Sequence, residues 1–295
     1  MGADQFVHAS NGRWVFSSKY TMRTMHCQDT FGLCGPIITA LIFILPVIWV
    51  VISSFKSASE LFVFPPTLLP TEPTFDNYIT AVNTGNFGRY TLNTLFVAVT
   101  SMVLALVTNS MAAFALAKFK FLGRDMLFLI TLATLMIPLQ VIMVPIFLVL
   151  RNIGLTDSLW GIIIPSAASP TGVFLLRQYM MSIPDEILEA ARIDGASDWM
   201  IYWRIILPLS LPALATLAIF SFTWRWNDFI WSFIVLSSES KSTLQLALAR
   251  LTGQAGIEWS TLLASTVMTM LPILIVFLLL QRYFLSNTTA GGVKG

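Results

Sequence analysis

The chain has 295 residues, of which 56% are hydrophobic and only 11% are charged, with a mean hydropathy of +0.77. Soluble domains carry about 25% charged residues, so the composition argues against a soluble enzyme and for a protein that lies in lipid. The net charge of +2 is too small to indicate a nucleic-acid-binding protein.

The first 34 residues are mixed and polar, and they predict a cytoplasmic N-terminal tail. Within it, His26, Cys27 and Cys34 have a spacing that matches no common zinc pattern, so no metal site is predicted. The apolar run that follows, 35–55, is longer than the roughly 7–15-residue core of a signal peptide, and no small-residue cleavage site follows it. It therefore predicts a transmembrane helix that also targets the chain.

The apolar segments predict an all-α integral membrane domain over residues 35–285, since about 20 apolar residues are needed to cross a bilayer. Prolines interrupt several of them, which is consistent either with simple bends in a bundle or with kinked helices that line a water-filled route. Residues 286–295 are predicted to form a cytoplasmic C-terminal tail. The six predicted spans are 35–55, 92–117, 126–150, 159–181, 208–236 and 262–281.

The distribution of lysine and arginine predicts the orientation, because positively charged loops stay in the cytoplasm. Eleven of these residues lie on the side of the two termini and five on the other side, so both termini are predicted to be cytoplasmic. The five on the outer side are Lys56, Arg89, Arg151, Lys241 and Arg250.

The segment between the fourth and fifth spans, 182–207, predicts two short cytoplasmic helices. Ser182 is the predicted N-cap of the first helix, with acids close to its positive end. Gly195 suits the left-handed residue that ends it, and Ser197 would cap the second helix. Pro208 is predicted to begin the next span.

The same segment contains a sequence pattern, EAA-x3-G-x9-I-x-LP, with every defined position filled. It resembles the loop by which permeases of ABC importers dock onto their ATPase subunits. The residues that the resemblance assigns to ATPase coupling are Glu189, Ala190, Ala191, Gly195, Ile205, Leu207 and Pro208.

The fifth span carries a polar, tryptophan-rich segment. Charges inside a membrane normally face the bundle interior or water, so this segment predicts a substrate route, with Arg225 suited to an anionic sugar. Arg225 and Asp228 are three residues apart and could instead be a structural pair. The predicted substrate-pathway residues are Trp224, Arg225, Trp226, Asn227, Asp228 and Trp231, together with Gln140 of the third span.

Nearly the whole chain resembles the maltose-type branch of carbohydrate-importing ABC permeases, including the stretches 112–119, 154–159, 226–229 and 289–295. The resemblance implies a multi-pass protein of the bacterial inner membrane and import by alternating access. It also implies a second, related permease, two ATPases that bind ATP and Mg²⁺, and an extracytoplasmic solute-binding protein. This chain itself is predicted to be neither an enzyme nor a cofactor-binding protein, since it contains no G-x4-GK[ST] phosphate loop.

Two other classes of function stay open at this point. A secondary transporter would need no ATPase and often shows internal repeats and coupled intramembrane acids; no repeat is visible and Asp228 is the only acid deep in a span. A membrane-embedded enzyme would need a catalytic set such as HExxH, and none is present. Within the permease class, a polyol or a glycerol phosphate is the alternative substrate to a sugar.

Overall fold

The structure is a computed structural model that describes residues 6–8, 14–16, 25–83, 86–252 and 258–290. Two three-residue strands, β1 (Phe6–His8) and β2 (Trp14–Phe16), pair antiparallel near the N-terminus. The other described elements are helical, as the prediction of an all-α fold requires. In chain order the first helices are α1 (Met25–Ser53), α2 (Asp76–Asn83), α3 (Phe87–Lys118), α4 (Arg124–Ala133), α5 (Leu139–Asn152), α6 (Trp160–Ser166) and α7 (Pro170–Met181).

The second half of the chain begins with the two short helices of the 182–207 segment. The elements are α8 (Asp185–Ile193), α9 (Asp198–Ile201), a π-helical turn (Tyr202–Ile206), α10 (Leu207–Leu209), α11 (Leu211–Trp226), α12 (Ile230–Val235), α13 (Leu244–Thr252) and α14 (Trp259–Ala290). Three 3₁₀ turns lie at Glu60–Phe62, Thr134–Met136 and Glu239–Lys241.

Two described helices, Phe87–Lys118 and Trp259–Gln281, are each long and apolar enough to cross a membrane. Two bent pairs meet the same criterion when each is taken as one span: Arg124–Met136 with Leu139–Asn152, bent by 105°, and Asp198–Leu209 with Leu211–Trp226, bent by 77°. The apolar part of α1, Ile38–Ser53, is shorter. Several predicted spans are therefore broken helices.

Prolines explain two of these breaks. The third predicted span, 126–150, is divided at Pro138, and the preceding Ile137 is extended (φ −88°, ψ 115°). The fourth, 159–181, is divided at Pro170, and the preceding Ser169 is also extended (φ −126°, ψ 127°). Because the ring of a proline disfavours the helical conformation of the residue before it, each helix stops and a new one starts at the proline.

The fifth predicted span, 208–236, also differs from a single helix. α11 ends at Trp226, and α12 starts only at Ile230. The Asp228 carboxylate accepts a hydrogen bond from the backbone N–H of Trp231 at 3.3 Å. An aspartate that bonds a backbone N–H favours a helix start over a helix interior, which accounts for the break.

α3 is the central helix, and it packs against α7, α11, α6 and α13. Its face toward these neighbours carries small residues, Ala98, Ala105 and Ala113, that are almost fully buried. α11 presents the small residues Ala215 and Ala218. Small residues let helix backbones approach closely, which in lipid replaces the hydrophobic driving force between helices. α3 thus connects both ends of the bundle.

Candidate functional site: a docking helix and an interior cavity

The helix that carries the EAA pattern, α8, begins later than predicted. Ser182 is not its N-cap: it ends α7, and its hydroxyl donates to the Tyr179 carbonyl at 2.7 Å. Pro184 precedes α8, and Asp185 and Glu186 occupy its first turn, where the helix dipole favours negative charge. Pro184 therefore sets the start of α8.

Lys118, the last residue of α3, attaches α8 to the bundle. Its ammonium lies 2.6 Å from the Asp185 carboxylate and also donates to the Ile183 carbonyl. The Lys118 side chain is only 3% exposed, whereas that of Asp185 is 67% exposed. The hydrogen bond from Lys118 lowers the pKa of Asp185, so this carboxylate stays ionised to a lower pH than an isolated aspartate. This contact ties the start of α8 directly to the long central helix.

α8 has one packed face and one free face. Leu188 is 3% exposed and lies in a hydrophobic cluster with Phe114 and Tyr202, and Ala191 packs against the same cluster. Glu189 and Ala190 are exposed. The outward face thus combines a carboxylate with a flat methyl surface, which is the kind of surface that fits into a groove of another protein.

The turn after α8 has a defined geometry. Gly195 adopts φ +83°, as its predicted role in ending the helix requires. The N–H of Ala196 donates to the Ala191 carbonyl at 2.9 Å, and the N–H of Gly195 donates to the Arg192 carbonyl at 3.0 Å. These two bonds form a Schellman motif, in which the left-handed residue is normally glycine. The direction in which the chain leaves α8 is therefore set by Gly195.

Two side chains then fix the second helix relative to α8. Ser197 caps α9, as predicted, by accepting the Met200 N–H at 3.3 Å. Arg192 of α8 bonds Asp198 of α9, with an N–O distance of 2.9 Å. Ile205 and Leu207 pack against the hydrophobic cluster that holds Leu188.

Pro208 is not in the first turn of α11. The helical segment runs through it from Asp198 to Leu209, and the 77° bend follows at Ser210. The proline in the first turn of α11 is Pro212. The seven pattern residues therefore divide into two groups: Glu189, Ala190, Gly195 and Pro208 are exposed, whereas Ala191, Ile205 and Leu207 are packed inward.

A cavity of about 420 Å³ lies among α3, α5, α11, α12 and the break between α6 and α7. This volume falls within the roughly 300–1,000 Å³ typical of small-molecule sites. Apolar residues of α5 and the prolines at the α6–α7 break form part of the wall. Its polar lining residues are Ser101, Ser166, Ser169, Thr171, Ser221 and Arg225.

Of the predicted pathway residues, Trp224, Arg225 and Trp231 line this cavity. Trp224 is 49% exposed, and Trp231 is 3% exposed and donates its indole N–H to the Gly161 carbonyl at 3.2 Å. The Arg225 guanidinium contacts the Asp228 carboxylate at 3.4 Å, and their side chains are 22% and 11% exposed. Arg225 thus both lines the cavity and pairs with Asp228, which is not among the lining residues.

The other predicted pathway residues are not among the lining residues. Trp226 is 1% exposed, stacks on Phe222 and donates its indole N–H to the Thr269 carbonyl at 2.9 Å. Trp226 is therefore a core residue that holds α11 against α14. Asn227 is exposed and bonds the Thr223 carbonyl and Gln245, at 3.0 and 3.2 Å. Gln140 is exposed, although its neighbour Leu139 lines the cavity.

Sequence reasoning missed the small polar residues of the cavity and of its supporting wall. Thr108 donates to the Ala167 carbonyl, and Asn109 accepts the Ser169 N–H at 2.9 Å, so α3 fixes the position of the α6–α7 break. The available signal was the spacing of Thr94, Ser101 and Thr108 in an apolar helix. A seven-residue spacing places side chains on nearly the same helix face.

The family model described as "Binding-protein-dependent transport system inner membrane component" matches residues 109–289. This range contains α8, the Gly195 turn and most of the cavity wall. The chain belongs to this family. It is accordingly the permease subunit of a binding-protein-dependent ABC importer of the inner membrane.

Named relatives cover most of the chain. The arabinooligosaccharides transport system permease protein AraQ of Halalkalibacterium halodurans is 38% identical over 259 residues, covering 87% of this chain and 93% of that protein. The diacetylchitobiose uptake system permease protein NgcG of Streptomyces coelicolor is 34% identical, with 86% and 85% covered. A solved bacterial ABC transporter involved in the import of the acidic polysaccharide alginate is 30% identical, with a TM-score of 0.76, covering 90% of this chain and 100% of that chain.

Proposed function

We propose that this chain forms one half of the translocation pathway for a sugar or an oligosaccharide, which it moves inward by alternating access. A second, related permease forms the other half, and an extracytoplasmic solute-binding protein delivers the substrate. The relatives whose printed names refer to arabinooligosaccharides, diacetylchitobiose and alginate support a saccharide as the substrate. The cavity, with its serines and tryptophans, offers polar groups for hydroxyls and apolar faces for sugar rings.

The observation that carries this proposal is the exposed face of α8. Glu189 and Ala190 are exposed, while Leu188 and the Lys118–Asp185 contact attach the helix to the bundle. A docking helix must be free on one side and firmly attached on the other, because only then does a displacement of the partner move the bundle. We assign this face to the ATPase subunits.

The pattern residues have two different roles in this proposal. Glu189, Ala190 and Gly195 present and shape the contact surface, and Pro208 is an exposed residue of α10. Ala191, Ile205 and Leu207 couple that surface to the hydrophobic cluster at the end of α3. ATP and Mg²⁺ are bound by the partner ATPases, and this chain contributes no cofactor site.

The proposed topology has six membrane spans, whose limits are those of the six apolar segments. The helix breaks described above lie inside these spans. Both termini and the 182–207 segment lie in the cytoplasm, as the distribution of lysine and arginine indicates. The segments 1–34 and 286–295 are cytoplasmic tails in this arrangement. The loop that contains Lys241 then lies on the outer side, toward the solute-binding protein.

The test is the reconstitution of the complete importer in proteoliposomes with a panel of saccharides. We expect the ATPase subunits to copurify with this chain, and one saccharide-loaded binding protein to stimulate ATP hydrolysis. The result that would overturn the proposal is a purified complex without ATPase subunits that still accumulates the solute. Stimulation by a polyol alone would support the importer function and show that the substrate is not a saccharide.

A further inference from the structure

The interior cavity combines a cation with a helix N-terminus. We propose that it binds the acidic group of an anionic saccharide, between the Arg225 guanidinium and the first turn of α7. This inference rests on the proposed function, and it adds the substrate class. The chemistry that defines the ligand is a sugar with a carboxylate, as in a uronic acid, or with a phosphate.

The first support is the state of Arg225. The guanidinium has five N–H donors, and within the described residues it makes one hydrogen bond, to Asp228 at 3.4 Å. That distance is long for a charge-assisted bond, which is usually about 2.7–2.9 Å. Arg225 also lines the cavity. Its remaining donors can therefore bind an anion in the cavity, and Asp228 balances the charge of the Arg225 guanidinium when no substrate is bound.

The second support is the position of α7. Ser169 and Thr171, at its N-terminal end, line the same cavity as Arg225. The Ser169 hydroxyl caps the Gly172 N–H at 2.9 Å, and α7 then continues for 12 residues. A helix of this length places partial positive charge at its N-terminus, where an anion is stabilised.

The third support is a hydroxyl with no partner. Ser101 is 1% exposed, lines the cavity, and its Oγ has no hydrogen-bond partner among the described residues. Buried hydroxyls are normally hydrogen-bonded, so an unpartnered one on a residue that lines a cavity can turn to bond a ligand or a water there. Ser101 comes from α3, and Arg225 of α11 is part of the same lining.

The cavity also has a surface for the sugar ring. Trp224 lies one residue before Arg225, lines the cavity and is 49% exposed. Its indole face is a large apolar surface that can cover the C–H face of a pyranose. A cation for the acidic group and an indole for the ring distinguish an anionic saccharide from both a neutral sugar and a small inorganic anion.

Substitution of Asp228 distinguishes a substrate-binding role of Arg225 from a purely structural ion pair. One of its oxygens contacts Arg225 and the other accepts the Trp231 N–H that starts α12. Asparagine retains an oxygen for that N–H but lacks the charge. Asp228→Asn should therefore leave α12 in place and free Arg225 for the substrate anion.

The experiment uses the complete importer complex with three probes of similar length: a uronate oligosaccharide, a phosphorylated sugar and a neutral oligosaccharide. Equilibrium binding is measured on the purified complex without the solute-binding protein, whose own selectivity would otherwise contribute. The variants are Arg225→Gln, Arg225→Lys, Asp228→Asn and the double variant. Arg151→Gln, at an exposed arginine of α5 outside the cavity, is the matched control.

Arg225→Gln should weaken binding of the anionic probe by about 10- to 100-fold, since a hydrogen bond to a charged group is lost. Neutral-probe binding should change less than about twofold, and Arg225→Lys should restore part of the loss. Asp228→Asn should leave anionic-probe binding unchanged or strengthen it. Comparison of the uronate with the phosphorylated sugar identifies which anion the site prefers.

Two results would overturn the inference. One is an equal loss for the anionic and neutral probes in Arg225→Gln. The other is an equal defect in both single variants that the double variant repairs, because that pattern belongs to a structural pair. If the wild-type importer transports only neutral saccharides, this inference fails and the proposed function stands; if no saccharide stimulates it, the proposed function itself fails.

Discussion

Substitution of Gly195 tests whether the geometry of the α8 turn couples ATP hydrolysis to transport. The residue has φ +83°, a region that costs an L-residue about 1–2 kcal/mol. A Cβ placed there would meet no atom within 4 Å, so the cost is conformational and not steric. A change of this size shifts a local equilibrium by about 5- to 30-fold.

The size of the effect should follow the side chain. Asparagine enters the left-handed region more readily than other residues, so Gly195→Asn should retain most of the coupling. Gly195→Ala should lose a large part of it, and the β-branched Gly195→Val should uncouple the importer, because such residues are strongly disfavoured at positive φ. The assay is the ratio of saccharide uptake to ATP hydrolysis in proteoliposomes, at matched amounts of inserted protein.

Gly154 provides a matched control. It has φ +72°, and a Cβ there would also meet nothing within 4 Å, but it lies in the loop between α5 and α6. Gly154→Ala should therefore carry the same backbone cost and leave the coupling ratio unchanged. Normal uptake by Gly195→Val at normal expression, or equal uncoupling by Gly154→Ala, would show that the left-handed Gly195 turn does not control coupling.

Three further predictions concern contacts that hold the site. Asp157 accepts four hydrogen bonds from the 237–241 segment. Asp157→Asn should reduce the free energy of unfolding by about 1–3 kcal/mol and so lower the melting temperature of the complex; an unchanged melting curve would contradict this. Lys118 and Asp185 should show a double-mutant coupling energy of about 0.2–1 kcal/mol, because Asp185 is exposed. Since the pKa of Asp185 is lowered, that coupling should be present at neutral pH and disappear as the pH falls through this lowered pKa; coupling that persists in acid would contradict it. Gly172→Ala should reduce the yield of folded protein on detergent size-exclusion chromatography, because its Cβ would lie 2.7 Å from the Asn109 amide nitrogen; a normal yield would show that the α6–α7 break can adapt.

Local backbone rules explain what the sequence could predict about the docking segment. Gly195 and Ser197 could be predicted because each completes the hydrogen bonding of an adjacent helix end: glycine adopts the left-handed conformation that ends α8, and the serine hydroxyl accepts a backbone N–H at the start of α9. Ser182 had the right residue type for an N-cap, but Ile183 and Pro184 separate it from α8, which begins only at Asp185. Pro208 had the right residue type for a helix start, yet the residues before it are already helical. The sequence alone does not distinguish a proline in the first turn of a new helix from one inside a helix that continues.

The cavity could be predicted only in part. Trp224 and Trp226 are two positions apart, hence about 200° apart around the helix, so both could not face one cavity. The sequence does not specify which of them faces inward, since that depends on the packing of α11 against α14. The hydroxyl lining comes from α3, α6, α7 and α11, and only the tertiary arrangement brings these helices together.

The most direct test of the central claim is the energy source of transport. Proteoliposomes that contain this chain, its partner permease and the ATPase subunits are supplied with substrate-loaded binding protein, either with internal ATP or with an imposed ion gradient. We expect uptake with ATP, none with the gradient alone, and loss of ATP-driven uptake in Gly195→Val. Uptake that follows the ion gradient and persists without the ATPase subunits would contradict it.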